Sequence, residues 1–173
     1  MTNLARLVGA AALALLLWPE IARYRAERQV RRGSDALRQA LAGASDDRTR
    51  ILLDRAAKMA AKATPNLPGD PRPRLLAGSA RLVQGKGLEA LDFYRDALAT
   101  GERAEIDLNI GRAHAIARER PEAQTALLRA LWISPTLASA LPGPVAKRLL
   151  EDVAKRENDL KAGLLNEPPP LPD

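Results

Sequence analysis

Few residues in this chain could do chemistry. His114 is the only histidine and there is no cysteine, so a thiol nucleophile, a disulfide and a thiolate metal site are excluded. No carboxylate stands at ligand spacing from His114, so we expect it to be a helix-packing residue. Residues 85–87 are too short for a phosphate-binding loop. The sequence therefore predicts a protein that is not an enzyme, without catalytic residues, cofactor or metal.

The charge balance is basic, with a formal net charge of +6. Such a balance is typical of nucleic-acid-binding proteins, but scarce aromatic residues leave little for base stacking. Five arginines follow an apolar N-terminal run: Arg23, Arg25, Arg28, Arg31 and Arg32. They are expected to contact anionic lipid headgroups, to lie on a solvated helix, or both. We predict no nucleic-acid partner.

The elements that position these residues are predicted to be helices, because alanine, leucine and arginine dominate the composition. One pattern of small and large residues occurs twice between residues 71 and 135. The same offset separates the two members of each pair: Gly78 and Gly111, Ala90 and Ala123, Tyr94 and Leu127, Ala97 and Ala130. A period of that length indicates a helical hairpin stacked on copies of itself.

The two glycines lie inside apolar helical runs, where glycine costs about 1 kcal/mol relative to alanine. A close helix crossing offsets that cost, because a residue without a side chain lets two backbones approach. The alanines of the pattern are the expected small residues facing the glycines. The large residues between them are Leu91, Tyr94, Leu127 and Leu131.

These residues resemble the tetratricopeptide repeat (TPR) family. A unit numbered from Ala104 has the family's residue types at positions 8, 20, 24, 27 and 32, which are Gly111, Ala123, Leu127, Ala130 and Pro135. A unit numbered from Pro71 matches at Gly78, Ala90, Tyr94 and Ala97. Glu102 departs from the pattern where proline is expected, and Arg74 and Asp107 replace the early tryptophan. The resemblance covers the stretch 71–135.

The resemblance implies an all-α chain of the membrane-anchored bacterial TPR-like type. Its N-terminal transmembrane helix would precede a short right-handed superhelix of about three hairpins and a C-terminal capping helix. The expected divisions are an anchor (1–24), a basic helix with a divergent first hairpin (25–64), a proline-rich connector (65–73), repeats with a capping helix (74–163) and a proline-rich tail (164–173). Ser34 and Asp35 are expected to cap a helix that Gly43 ends, and Asp46 and Asp47 to cap the next. The tail is interpreted as an extended tether or a proline-rich ligand.

An unbroken apolar run over residues 7–18 is interpreted as the core of the anchor. It would rise about 18 Å as a helix, so spanning the membrane requires residues 4–22, with Arg6 and Glu20 extending toward the interface. The residues expected at the membrane interface are Trp18, Arg23, Tyr24, Arg25 and Arg28. A cleavable signal peptide and a buried helix are the alternatives. The expected location is the bacterial inner membrane, single-pass, with a cytoplasmic domain by arginine count or a periplasmic one.

The family resemblance implies a partner groove lined by the first helix of each unit. The predicted groove residues are Arg72, Leu75, Ser79, Leu82, Leu108, Asn109, Arg112 and Ile116. A short helix or extended peptide would place apolar anchors there, with the arginines setting its orientation. Leu82, Val83 and Ile116 could instead pack between neighbouring hairpins.

Two functions remain open from the sequence. The first is a membrane-anchored scaffold for protein–protein interaction, an accessory or assembly subunit of a bacterial membrane or envelope complex. The second is a purely structural subunit buried in such a complex, with no exchangeable peptide ligand. The expected partners are a protein, as a peptide or a complex subunit, and membrane lipid through the N-terminal helix.

Overall fold

The computed structural model describes residues 2–43, 45–165 and 167–170, with side chains from residue 15 onward. The described residues form helices and contain no strand, which confirms the all-α prediction. The helices are α1 (Thr2–Leu41), α2 (Asp46–Ala63), α3 (Arg72–Val83), α4 (Gly87–Leu98), α5 (Ala104–Ala117), α6 (Arg120–Ile133) and α7 (Gly143–Lys161). Short 3-10 turns occupy Thr64–Asn66 and Pro135–Ala140.

The helices stack in sequence order, because each packs chiefly on its neighbours along the chain. Short turns join α3 to α4 and α5 to α6, so each pair is an antiparallel hairpin. Three main clusters of buried side chains run along the stack. The first joins α1, α2 and α3, the second joins α4, α5 and α6, and the third joins α5, α6 and α7.

The first hairpin begins differently from the prediction. α1 runs through Ser34 and Asp35 without a break, so the predicted helix start at these residues is wrong. A cap requires the chain to leave the helix, whereas here Ala36 and Ala40 are buried against α2 and α3 and hold the helix together. Gly43 follows the end of α1 with a positive φ of 91°, as expected.

The predicted membrane anchor and the single-pass inner-membrane location are wrong. Among the residues that the structure describes, no helix combines the length and the apolar character needed to cross a membrane. The physical reason is the short apolar run, since residues 7–18 rise about 18 Å against a hydrocarbon core of about 30 Å. Beyond Trp18, α1 continues with Glu20 and then with arginines.

The two glycines of the repeat lie at close helix crossings, as predicted. A Cβ atom added to Gly78 would lie 2.5 Å from Cε1 of Tyr94, and one added to Gly111 would lie 2.6 Å from Cγ of Leu127. The Gly111 position is also 3.1 Å from the carbonyl oxygen of Ala123. The glycines therefore make room mainly for the large residue of the partner helix, rather than for its alanines.

α7 packs on the last hairpin through Leu149 and Val153, in the cluster that contains Leu127 and Leu131. Its cationic and acidic residues Lys147, Arg148, Glu151 and Lys155 are exposed. A helix that covers the apolar face of the last hairpin was expected, because a terminal repeat would otherwise leave that face in water.

Candidate partner-binding surfaces

The predicted groove lies on α3 and α5, and its apolar members are mostly covered. Leu75 and Leu82 are half-buried against the second core cluster. Leu108 is 5% exposed and belongs to the third cluster, so it cannot anchor a ligand without unpacking α7. Ile116 is 42% exposed, as is Val83. Of the predicted apolar groove residues, Ile116 alone presents a large exposed surface. Leu82 instead packs between neighbouring hairpins.

The two groove arginines are engaged within the chain. Arg72 lies against Asp70, with Nε 2.9 Å and Nη2 2.6 Å from Oδ2, and the backbone N–H of Arg72 donates to Oδ1 at 2.9 Å. This hydrogen bonding lowers the pKa of Asp70 and raises that of Arg72. Arg112 donates through Nη2 to the carbonyl oxygen of Ala140 at 2.6 Å and through Nη1 to Oδ1 of Asn109 at 3.4 Å. The first arginine fixes the start of α3 to Asp70, and the second ties a 3-10 turn to α5.

Ser79 accepts a long hydrogen bond of 3.4 Å from the Tyr94 hydroxyl. Burial raises the pKa of Tyr94 to about 12, so the phenol stays protonated and its O–H remains a donor. The polar groove residues therefore serve internal packing in this structure. Whether they also hold a peptide stays a prediction.

The residues predicted for a membrane interface lie along α1 and are exposed. Trp18 and Tyr24 expose 63% and 62% of their surface. Arg28 places its guanidinium 6.0 Å from the ring centroid of Tyr24, and Arg23 pairs loosely with Glu27 at 3.9 Å. Arg25 is exposed beside them. These contacts are typical of a solvated helix face.

A polar cluster that the sequence reasoning missed lies at the start of the third hairpin. Arg129 of α6 forks onto Glu102, with Nε 2.6 Å from Oε1 and Nη2 2.9 Å from Oε2. Asp107 of α5 is 0% exposed, and neither of its carboxylate oxygens has a hydrogen-bond partner among the described residues. We call Glu102, Asp107 and Arg129 the 102/107/129 cluster.

The two carboxyl groups of this cluster titrate in opposite directions. The hydrogen bond from Arg129 holds the pKa of Glu102 below its usual range. Burial, and then the Glu102 charge, raises the pKa of Asp107 from 3.8 to about 7. Below that pH Asp107 carries a proton that it can donate to Glu102, which satisfies a carboxyl group that would otherwise be buried as an unpaired charge.

The sequence did contain a signal for this cluster. Glu102 stands where the repeat pattern has proline, and Asp107 stands where it has tryptophan. Two departures from an otherwise regular pattern thus fall within one contact network. Arg129 has no such signal, because its position in the repeat is not restricted.

The C-terminal tail reaches the same cluster. The side chain of Pro169 is fully buried, and its carbonyl oxygen accepts a 2.6 Å hydrogen bond from Nη1 of Arg129. Its neighbours Pro168 and Pro170 are exposed. The tail is therefore docked on the body at one proline.

His114 is 3% exposed, as expected for a packing residue. The expectation that no carboxylate neighbours it is wrong, because Nδ1 lies 2.7 Å from Oε2 of Glu119. α5 ends at Ala117 and is followed by Arg118 with a positive φ of 66°, and this turn brings Glu119 back over the last helical turn. Nε2 has no hydrogen-bond partner among the described residues, and no group of three potential metal ligands occurs in that part of the chain.

An open apolar groove of about 600 Å³ lies between α6 and α7. Its floor includes Leu127 and Leu149, and Val145 at its side is 41% exposed. Arg120 and Arg148 are exposed at the groove, one from each helix. We call it the α6/α7 groove. It combines apolar contact area with two cations, which suits an apolar segment carrying acidic residues.

A scan against protein-family models and searches of curated proteins and of solved structures each found no match to this chain.

Proposed function

We propose that this chain is a TPR-like helical-repeat scaffold that holds a segment of another protein. In this proposal the three hairpins form a short right-handed superhelix, and α7 caps it. The contacts of Gly78 with Tyr94 and of Gly111 with Leu127 support that architecture, because they place the same close crossing at equivalent positions of two successive repeats.

The observation that carries the binding role is the α6/α7 groove. Exposed apolar surface with a polar rim is typical of interaction sites, and here two exposed arginines lie beside the apolar groove. Apolar side chains of a bound segment would lie on Leu127 and Leu149, and acidic residues would pair with Arg120 and Arg148. The partner is therefore expected to be an acidic amphipathic helix or peptide.

Site-specific photo-crosslinking tests this function. A photoreactive residue replaces Val145 in the groove, and a second version carries it at Lys155, which is exposed on the same helix but is not part of the groove lining. We expect a discrete crosslinked protein from position 145 alone, lost in the R120E/R148E variant. K147E reverses a neighbouring exposed charge outside the groove lining and should retain the crosslink. Equal crosslinking in all variants would exclude the groove.

A second candidate function is a purely structural subunit with no exchangeable ligand. Its support is the exposed apolar surface on α1, where Leu15, Leu16 and Leu17 are 76%, 75% and 53% exposed. Surface of this kind becomes covered in a permanent complex. A partner that co-purifies at fixed stoichiometry and does not exchange with added free partner would favour this second function over the first.

A further inference from the structure

The docked tail is buried at one proline between two exposed ones. Pro169 follows the end of α7 by several residues, yet its ring is buried while Pro168 and Pro170 on either side are exposed. One ring in a run of three is therefore enclosed by the rest of the protein, and we call the space that holds the Pro169 ring the proline slot. The chain bends at Pro169, so the ring that is buried is the one at the bend.

Burial of a proline here leaves few polar groups to satisfy. Proline has no backbone N–H, so the segment 168–170 has no backbone donor that requires a partner. The Pro169 carbonyl remains, and Nη1 of Arg129 donates to it at 2.6 Å. A hydrogen bond from a charged donor is among the stronger ones in proteins.

Arg129 is held in position for this contact. Its Nε and Nη2 are occupied by the Glu102 carboxylate, which orients the guanidinium and leaves Nη1 directed at the tail. Asp107 is buried beside Glu102 and Arg129 and is not exposed to solvent. A lysine could not make both contacts, because it lacks the planar fork.

A hairpin with the same close crossing forms elsewhere in the chain without the 102/107/129 cluster. One repeat earlier, the equivalent positions are Gly69, Arg74 and Asp96, and the second hairpin forms the same close crossing without them. Of these two hairpins, only the third therefore carries the cluster and its proline slot, as an addition to the repeat. Arg129 is also absent from the lining of the α6/α7 groove, so the two surfaces are separate.

We propose that the surface at Glu102 and Arg129 is a binding site for a proline-rich segment, occupied in this chain by its own tail at Pro169 and taken over by a proline-rich segment of a partner protein. The tail acts as an internal competitor. It is connected by a short link to α7, so its effective concentration is in the millimolar range and a free segment competes poorly until it is abundant or longer. The proline rings fix φ along such a segment, which keeps the ordering cost of either segment low.

The test uses the full chain and a fluorescent peptide with the sequence of residues 167–173. Pro169→Asp places a charge in the slot and releases the tail, so the variant should bind the peptide about tenfold or more tightly than the wild-type chain in fluorescence anisotropy. Pro168→Asp is the matched control, because the same charge at the exposed neighbouring proline leaves the tail docked. It should bind as the wild type does.

Specificity is tested in the released chain. P169D/R129Q should lose the peptide, and a peptide with alanine at each proline should not bind P169D. Circular dichroism of both variants reports whether the helices are intact, and P169D lies outside every helix. Equal peptide affinity of wild type and P169D, or full binding by a folded P169D/R129Q chain, would overturn the proposal.

This inference deepens the proposed scaffold function, but the two fail separately. If no crosslink forms from position 145 in the otherwise wild-type chain while P169D binds the peptide as expected, the α6/α7 groove is excluded and the proline site is kept. The reverse result would keep the groove and remove the proline site.

Discussion

The second hairpin, α3 and α4, and the third hairpin, α5 and α6, solve the same packing problem with different residues. In each, a glycine of the first helix accommodates a large side chain of the second helix, Tyr94 in one and Leu127 in the other. Their polar residues do not correspond. The comparison teaches that the repeat period describes backbone approach, whereas the residues outside it differ between hairpins and mark what each hairpin does.

The largest difference between the two hairpins should appear on truncating the large residue. Tyr94 is fully buried and Leu127 is 9% exposed, so Tyr94→Ala should cost about 3–5 kcal/mol and Leu127→Ala about 2 kcal/mol. Urea denaturation at constant m-value measures both. A larger loss from Leu127 would contradict the view that the second hairpin holds the more deeply packed crossing.

The glycines should give the next largest effect. Gly78→Ala and Gly111→Ala each introduce a Cβ within 2.6 Å of a side chain, and Gly111→Ala also approaches the Ala123 carbonyl oxygen, which cannot rotate away. We expect losses of about 1–3 kcal/mol, with Gly111→Ala the more costly.

Gly143→Ala is the matched control for these glycines. Apart from its chain neighbours and the backbone of its own helix, no described atom lies within 4 Å of its added Cβ, so it should leave the melting temperature nearly unchanged. A gain of stability in Gly78→Ala, as expected from helix propensity alone, would show that the crossing is looser than its distances indicate.

The crossings could be predicted from the sequence, whereas the polar cluster left only an indirect signal in it, the two departures from the repeat pattern at Glu102 and Asp107. Gly78, Gly111 and their partners recur at a regular offset, and a recurring apolar pattern has one compact solution in which the helices stack. The contact of Arg129 with Pro169 joins distant parts of the sequence through a tail with no periodicity. The continuity of α1 through Ser34 was missed for a related reason, since tertiary packing of Ala36 and Ala40 decided it against local capping preference.

Asp107 distinguishes the third hairpin by its response to pH. Its pKa is raised to about 7 in the native chain, against 3.8 ordinarily, so the native state binds more protons between these values. Stability should therefore fall as pH rises from about 4 to about 7 and then level off. Asp107→Asn removes this titration while its amide can still donate to Glu102. The change in unfolding free energy that Asp107→Asn causes should be more favourable at pH 8 than at pH 4 by about 1 kcal/mol or more.

The control for this experiment lies in the second hairpin. Asp96 of α4 occupies the position equivalent to Arg129 and is exposed, so Asp96→Asn makes the same chemical change at a surface position and is measured in the same buffer series. Glu102 acts in the opposite sense, because its lowered pKa gives stability that is lost as the pH falls. Thermal melts of the variants in one buffer series separate the contribution of Asp107 from that of Glu102. An Asp107→Asn effect that is equal at both pH values would mean that the carboxyl group is ionised throughout.

The smallest expected difference concerns Arg112 and the residue one repeat earlier, Ser79. Arg112→Gln removes the 2.6 Å hydrogen bond to the Ala140 carbonyl oxygen, and Ser79→Ala removes a 3.4 Å partner of the Tyr94 hydroxyl. Each should cost about 1 kcal/mol or less, with Ser79→Ala at the low end.

The two substitutions should loosen different parts of the protein. The amide of Leu141 donates to Ala138 within the turn that Arg112 holds, so its hydrogen exchange should accelerate in Arg112→Gln and not in Ser79→Ala. If Leu141 exchanges at the wild-type rate in Arg112→Gln while stability falls, the arginine stabilises α5 through Asn109 rather than the turn, and the two hairpins are more alike than their contacts indicate.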